Sequence, residues 1–202
     1  MSDPRHGIGC PFDHPGIQVT EYAGDDDFAA IYNVAPILPG HSLVVPRWHV
    51  ERLMLLSKDE ICRFFTFAGK VTNFLMFHFK AEGFDWAIQD GMSAGQTVSH
   101  LHLHVLPRWS GDLPSPGDWY SRLKLPIIAN LQNTTDSEGR TRLHETDLRK
   151  VVAALRAAAT GYGLKAVVEK RTEGAGGDQD RGVDQASGQN AGSQRGGEPG
   201  GR

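Results

Sequence analysis

Polar and apolar residues alternate from position 99 to 107 (SHLHLHVLP), the most regular pattern in the chain. Period-two alternation predicts a β-strand with polar side chains on one face and aliphatic ones on the other. Shorter runs predict strands at residues 17–22, 28–34, 41–46 and 84–90. An acidic turn at 23–27 and a Pro-Gly turn at 36–40 separate the first three, which implies an antiparallel meander. Ser57-Lys-Asp-Glu60 has capping-box spacing. Ile61, Phe64, Phe65, Ala68, Val71, Leu75 and Phe79 follow at helical intervals, predicting an amphipathic helix of about 22 residues that Gly83 ends. The sum is an α+β fold, a five-stranded antiparallel sheet covered by one long helix.

Beyond Arg108 the pattern weakens. Residues 110–143 carry several Pro and Gly, with extended pieces expected around 123–131. Leu148, Val151, Val152 and Leu155 share one face of a predicted C-terminal helix over 145–159, stopped by Gly161, and 164–169 reads as a short strand. From 172 to 202 there are ten glycines and one large aliphatic residue, Val183. Such a segment buries too little apolar surface to offset its ordering entropy, so a disordered Gly-rich tail is expected. The chain therefore divides into a main domain at 1–112, an extension with one helix at 113–171 and the tail at 172–202.

Composition narrows the function. The net charge of −3 gives no global field towards nucleic acid or an anionic membrane, so an anion site must be built locally. Two cysteines, Cys10 and Cys62, without a secretory start or a long apolar run, fit a cytoplasmic protein without a disulfide framework.

The candidate chemistry lies on the alternating strand. His100, His102 and His104 are expected to project from one face, with Leu101, Leu103 and Val105 turned to the core. Solvent asks for polarity, not for histidine three times, which argues against an ordinary surface strand. Two readings remain: a zinc site, or an imidazole nucleophile whose second nitrogen is held by an acceptor. Upstream, Gly91 and Gly95 flank a loop whose backbone amides are expected to face an anion, which favours the nucleophile.

His100-Leu-His102-Leu-His104-Val-Leu resembles the signature of the histidine-triad (HIT) family. The preceding Gln89-Asp90-Gly91 and Ala94-Gly95-Gln96-Thr97-Val98 are similar to the branch containing the fragile-histidine-triad protein, over roughly residues 10–112. The resemblance implies hydrolysis of dinucleoside polyphosphates, of diadenosine type, through a nucleotidyl-histidine intermediate. It makes His102 the nucleophile, with the His100 carbonyl holding its other nitrogen, His104 on the phosphate and His41 beside the triad. Gln96 and Thr97 are expected to donate to the phosphate or the leaving oxygen, and Gln89 to position phosphate and water; Gly95 and Val98 complete the loop. Asn33 matches a ribose ligand, able to accept from one hydroxyl and donate to the other, and His14 a residue near the nucleoside. Alternatives keep the intermediate but change the acceptor, giving a phosphorylase or nucleotidylyltransferase, or make the protein a nucleotide-binding sensor.

Many family members bind zinc through Cys-x-x-Cys and two later histidines. Here the stretch is Cys10-Pro-Phe-Asp13, with His49 and His100 as partners. Asp is a competent ligand. Even so, His49 reads as an exposed residue at a strand-to-helix junction, so no structural zinc is expected. The chemistry should need no cofactor, although a divalent cation can accompany the polyphosphate. The aromatic run Phe64, Phe65, Phe67, Phe74, Phe77 and Phe79 is too large for one helix face, and family members pair through the helix and a sheet edge; a homodimer is expected.

Overall fold

The computed structural model describes residues 9–123 and 140–165. Strands β1 (Glu21–Gly24), β2 (Phe28–Tyr32), β3 (Ser42–Pro46), β4 (Gly83–Ala87) and β5 (Leu103–Arg108) form one antiparallel sheet in the order β1-β2-β3-β5-β4. Helix α1 (Lys58–Phe79) carries the chain from β3 to β4. The expected α+β architecture is the one observed. The remaining elements are α2 (Asp118–Leu123) and α3 (Glu145–Tyr162).

The start of α1 follows from its sequence. Ser57 accepts from the Glu60 amide, and the Glu60 carboxylate accepts from the Ser57 amide at 2.7 Å, a reciprocal capping box. Its end does not. Lys80 closes the helix in the left-handed conformation, φ 51°, with its amide on the Met76 and Phe77 carbonyls, and Gly83 opens β4 instead. The buried stripe of α1, including Phe64, Phe67, Val71 and Phe74, packs on Tyr22, Phe28, Val44, Leu103 and Val105 of the sheet. Leu148, Val152 and Leu155 of α3 join the same core. Full burial of Phe64 or Phe74 contributes about 1.5–3 kcal/mol relative to exposure. Most of the aromatic run thus serves this core, and only Phe77 stands largely exposed, at 72%.

The opposite face of the sheet carries a second, smaller cluster of Ala29, Ile31, Leu43 and Val45, covered by Phe12 and Ile17. Residues 10–17 lie across it as a strap. The strand expected at 17–22 begins only at Glu21, because Pro15 and the His14 side chain, which accepts from the Gly16 amide at 3.0 Å, start a 3-10 turn over Pro15–Val19. Similarly β5 starts at Leu103 and not at Ser99: the Leu101 amide donates to the Val50 carbonyl at 2.7 Å, away from the sheet. Strand β4 stops at Ala87. Helix α3 runs through Gly161 to Gly163, φ 93°, and α2 adds a short helix where only one was expected after residue 112. The extended pieces expected around 123–131 begin at the last residue of α2, and the rest of them, most of the strand expected at 164–169 and the tail fall outside the described residues. No described helix is long and apolar enough to cross a membrane.

Arg108 locks the end of β5. Its Nε and Nη2 donate to the two oxygens of Asp112 at 2.7 and 2.9 Å, and Nη1 donates to Asp85 and to the Pro116 carbonyl. Chiefly through the Arg108 hydrogen bonds, the Asp112 carboxyl is held at about 2, below the ordinary ~3.9 of an unfolded chain. A depressed folded value contributes stability above the unfolded pKa and loses it as pH falls. Asp112→Asn should therefore cost about 1–3 kcal/mol at neutral pH. In urea titrations its gap to the parent should close between about pH 4 and pH 2; a gap independent of pH would show that the carboxylate charge is not what holds this corner.

Candidate active site

The site lies where β5, β3 and the strap meet. Pairing of Leu43 with His104 puts the end of the signature beside β3, and the His102 and His104 rings lie 5.1 Å apart. Protonation follows from the partners. The His102 Nδ1 is 2.8 Å from the His100 carbonyl, which can only accept, so Nδ1 carries the hydrogen and Nε2 the lone pair. His41 Nδ1 accepts from the Ile37 amide at 3.2 Å, so its hydrogen is on Nε2 and donates to His104 Nδ1 at 3.0 Å. His104 then bears its hydrogen on Nε2. The strand thus presents one imidazole with a lone pair next to one with a donor. Asn33 Nδ2 also approaches His41 Nε2, at 3.4 Å, but two donors face each other there, and the 3.0 Å contact to His104 is the hydrogen bond.

His100 turns away from this pair. Its Nε2 donates to the Pro46 carbonyl at 3.0 Å, and its Nδ1 faces Cys10 Sγ and Asp13 Oδ1, each 3.4 Å away. Burial pushes its pKa down to about 4, against the opposing pull of Asp13, so the ring is neutral. The three imidazoles therefore do not share one environment: His102 and His104 line one site, and His100 joins another. His49 is not the exposed residue expected, since its Nδ1 bonds Asp13 Oδ2 at 2.8 Å and its side chain is only 21% exposed.

Cys10, Asp13, His49 and His100 bring their ligand atoms within 4.8 Å of one another. Tetrahedral zinc with bonds of ~2.0–2.3 Å would space them by roughly 3.3–3.8 Å, so a small inward movement suffices. The donor set suits zinc, and the Pro46 carbonyl already orients His100 with its Nδ1 lone pair towards the cluster. The residues fit the ion.

The loop before the signature differs from expectation. Gly91 (φ 92°) and Gly95 (φ 93°) bracket a 3-10 turn, Met92–Ala94, whose formation directs the Ala94, Gly95 and Gln96 amides onto the Gly91 and Met92 carbonyls. These amides are engaged within the turn and do not point at an anion. Gln96 braces the loop, accepting from the Gly91 amide at 2.7 Å and donating to the Glu51 carbonyl at 2.8 Å. Gln89 is buried and donates to the Ala94 carbonyl at 3.2 Å, and a Cβ on Gly95 would come within 2.6 Å of that amide nitrogen. Thr97 is exposed.

Near the histidines, a cavity of about 370 Å³ has His14, Asn33 and Val98 among its lining residues. The Asn33 carbonyl already accepts from the Ala35 amide at 2.9 Å, which turns its amide hydrogens into service as donors. Phe12, Ile17, Ile31, Leu43 and Arg142 also line the cavity and were not anticipated. Period two would have found Ile31 and Leu43, two positions from Asn33 and His41. Arg142 has no such signal. It arrives because the neighbouring Leu143 amide bonds the Val34 carbonyl at 2.9 Å and Arg140 donates to the Ala35 carbonyl at 2.7 Å.

A five-stranded antiparallel sheet that carries an imidazole pair close to an apolar cavity is the arrangement of a histidine-triad protein. The HIT domain model matches residues 19–111, and an uncharacterized HIT-like protein of Saccharolobus solfataricus is 40% identical over 119 residues, 54% of this chain and 86% of the relative. The chain belongs to the HIT family. A bis(5'-adenosyl)-triphosphatase of Dictyostelium discoideum is 38% identical over 95 residues, 47% of this chain; the match spans 64% of that relative's length. Among solved structures, the NitFhit protein of C. elegans aligns with a TM-score of 0.54 at 25% identity, over 78% of this chain and 31% of that one.

Proposed function

We propose that the protein hydrolyses dinucleoside polyphosphates through a nucleotidyl-His102 intermediate. The observation that carries this reading is the 2.8 Å bond from His102 Nδ1 to the His100 carbonyl, which leaves Nε2 as the attacking nitrogen. Nε2 attacks the α-phosphorus, an N–P bond forms, the anhydride P–O bond breaks, and the remaining nucleotide departs with the electron pair. The Nε2–H of His104 donates to the phosphoryl oxygens as their charge rises. Water then attacks phosphorus, the N–P bond breaks, and a nucleoside monophosphate leaves. Splitting one transfer into two lowers each barrier. The apolar Phe12, Ile17, Ile31 and Leu43 suit a base, and similarity to the Dictyostelium triphosphatase supports an adenine dinucleotide as substrate.

Diadenosine triphosphate incubated in heavy-oxygen water tests this. The expected products are AMP carrying the heavy oxygen and unlabelled ADP. Unlabelled ADP formed only when phosphate is added would replace hydrolysis with phosphorolysis, and tight AMP binding without turnover would make the protein a sensor.

The proposal includes a zinc ion at Cys10, Asp13, His49 and His100, against the expectation drawn from sequence. Bound there, it supplies a cross-link between the strap and the signature and takes no part in the displacement. A reducing, cytoplasmic setting would keep Cys10 a thiol. It also includes a homodimer. β4 is an edge strand with Phe84 49% exposed, beside Trp86, which stacks on Phe65 of α1. That edge suits a second copy of the chain better than solvent. Sedimentation at micromolar concentration should give a dimer, and Phe84→Asp a monomer; a monomeric parent would remove this part of the reading.

A further inference from the structure

We propose that metal binding at Cys10, Asp13, His49 and His100 and nucleotide binding in the adjacent cavity are coupled through residues 10–17, so that each tightens the other. The coupling rests on the nucleotide reading above and goes beyond it.

The two strap ligands stand on either side of Pro11 and Phe12, and both of these line the cavity, as do His14, Gly16 and Ile17 further along. One wall of the nucleoside cavity is therefore a short segment with two of its residues in the metal cluster. The strap's backbone bonds close local turns, Asp13 to Cys10 at 3.2 Å and Ile17 to His14 at 2.9 Å, and so do not by themselves fasten it to the sheet. What reaches the sheet is the packing of Phe12 and Ile17 on Ala29, Ile31, Leu43 and Val45, together with the polar contacts of Cys10 and Asp13 to the two histidines.

A metal exchanges those polar contacts for bonds of ~2.0–2.3 Å and restrains the residues between the ligands. Phe12 is the one that matters. Its ring lies 5.5 Å from His100 and 5.4 Å from His102, so it touches the metal cluster, the nucleophile and the cavity at once. On the other side His100 supplies both a metal-facing ring and the carbonyl that holds the His102 tautomer. A nucleotide entering a cavity with its wall already ordered loses less freedom, and a nucleotide in place holds the ligands together for the metal. Linkage requires the two effects to be equal.

The test uses the full chain loaded with one zinc per chain and AMP as the probe. A chromophoric chelator reads zinc affinity with and without saturating AMP, and calorimetry reads AMP affinity before and after chelation. Zinc should bind at least about fivefold more tightly with AMP present, and AMP affinity should fall by the same factor when zinc is removed. Phe12→Ala should still take up one zinc, yet lose the effect of AMP on it. Should the chelated chain unfold, AMP raises zinc affinity through folding alone, and Phe12→Ala then decides: retention of the AMP effect in that variant overturns coupling through the strap. Zinc affinity within twofold with and without AMP, in a chain that binds AMP, overturns the coupling alone. No AMP binding to the loaded chain overturns the nucleotide reading as well, and a chain that takes up no zinc overturns the coupling at its first step.

Discussion

His102→Ala is expected to lower dinucleotide turnover by a factor on the order of 10⁴ or more while AMP affinity stays within tenfold. The asymmetry follows from what this ring does. In the proposed mechanism His102 contributes the atom that bonds phosphorus, a contact made fully only in the transition state. The proposal distributes nucleoside binding over Phe12, Ile17, Ile31, Leu43 and Asn33, which line the cavity and which the substitution leaves in place. Steady-state hydrolysis and equilibrium binding on the same preparation separate the two. A variant retaining a tenth of the parent rate would show that another group attacks. A variant that lost AMP binding in proportion to rate would mean the ring holds the cavity together and is not the nucleophile. His104→Asn should cost less, about 10²–10³, because it removes one donor to the phosphoryl oxygens and leaves the nucleophile.

Gly40→Ala should destabilise the fold by roughly 2–5 kcal/mol. Two effects act together. Gly40 sits at φ +83°, where a Cβ meets its own backbone, and that Cβ would lie 2.9 Å from the Phe79 ring and from Pro107 Cγ. Neither neighbour moves easily: Phe79 is the last residue of α1 and Pro107 lies within β5. The damage should reach the site, since the next residue, His41, orients His104. Chemical unfolding should show a lower midpoint with an unchanged slope, and activity measured well below the transition should fall as well. A variant within 1 kcal/mol of the parent would mean the turn can relax around the methyl group.

Much of this was legible in local pattern. The alternation at 99–107 and the capping box at Ser57 depend on residues close in sequence, and the signature strand and the start of α1 follow from them. Departures from local expectation cluster where neighbours in space outrank neighbours in sequence. Gln96 reads as a phosphate donor because it stands in the signature loop, yet Gly91 and Glu51 hold both ends of its amide. His49 reads as exposed because it follows a strand, yet Asp13, thirty-six positions earlier, meets it at 2.8 Å.

By itself, the sequence determined which side chains were available and how they alternate: the HIT fold, and the imidazoles at 100, 102 and 104. Only the tertiary structure decided how those imidazoles divide their work. A ring's role depends on which nitrogen carries the hydrogen, and that depends on the acceptor or donor opposite: the Ile37 amide for His41, and Pro46 with Cys10 and Asp13 for His100. Most of those partners come from other parts of the chain, brought close by the order β3-β5-β4 and by a strap crossing the sheet, and no spacing along the strand encodes them.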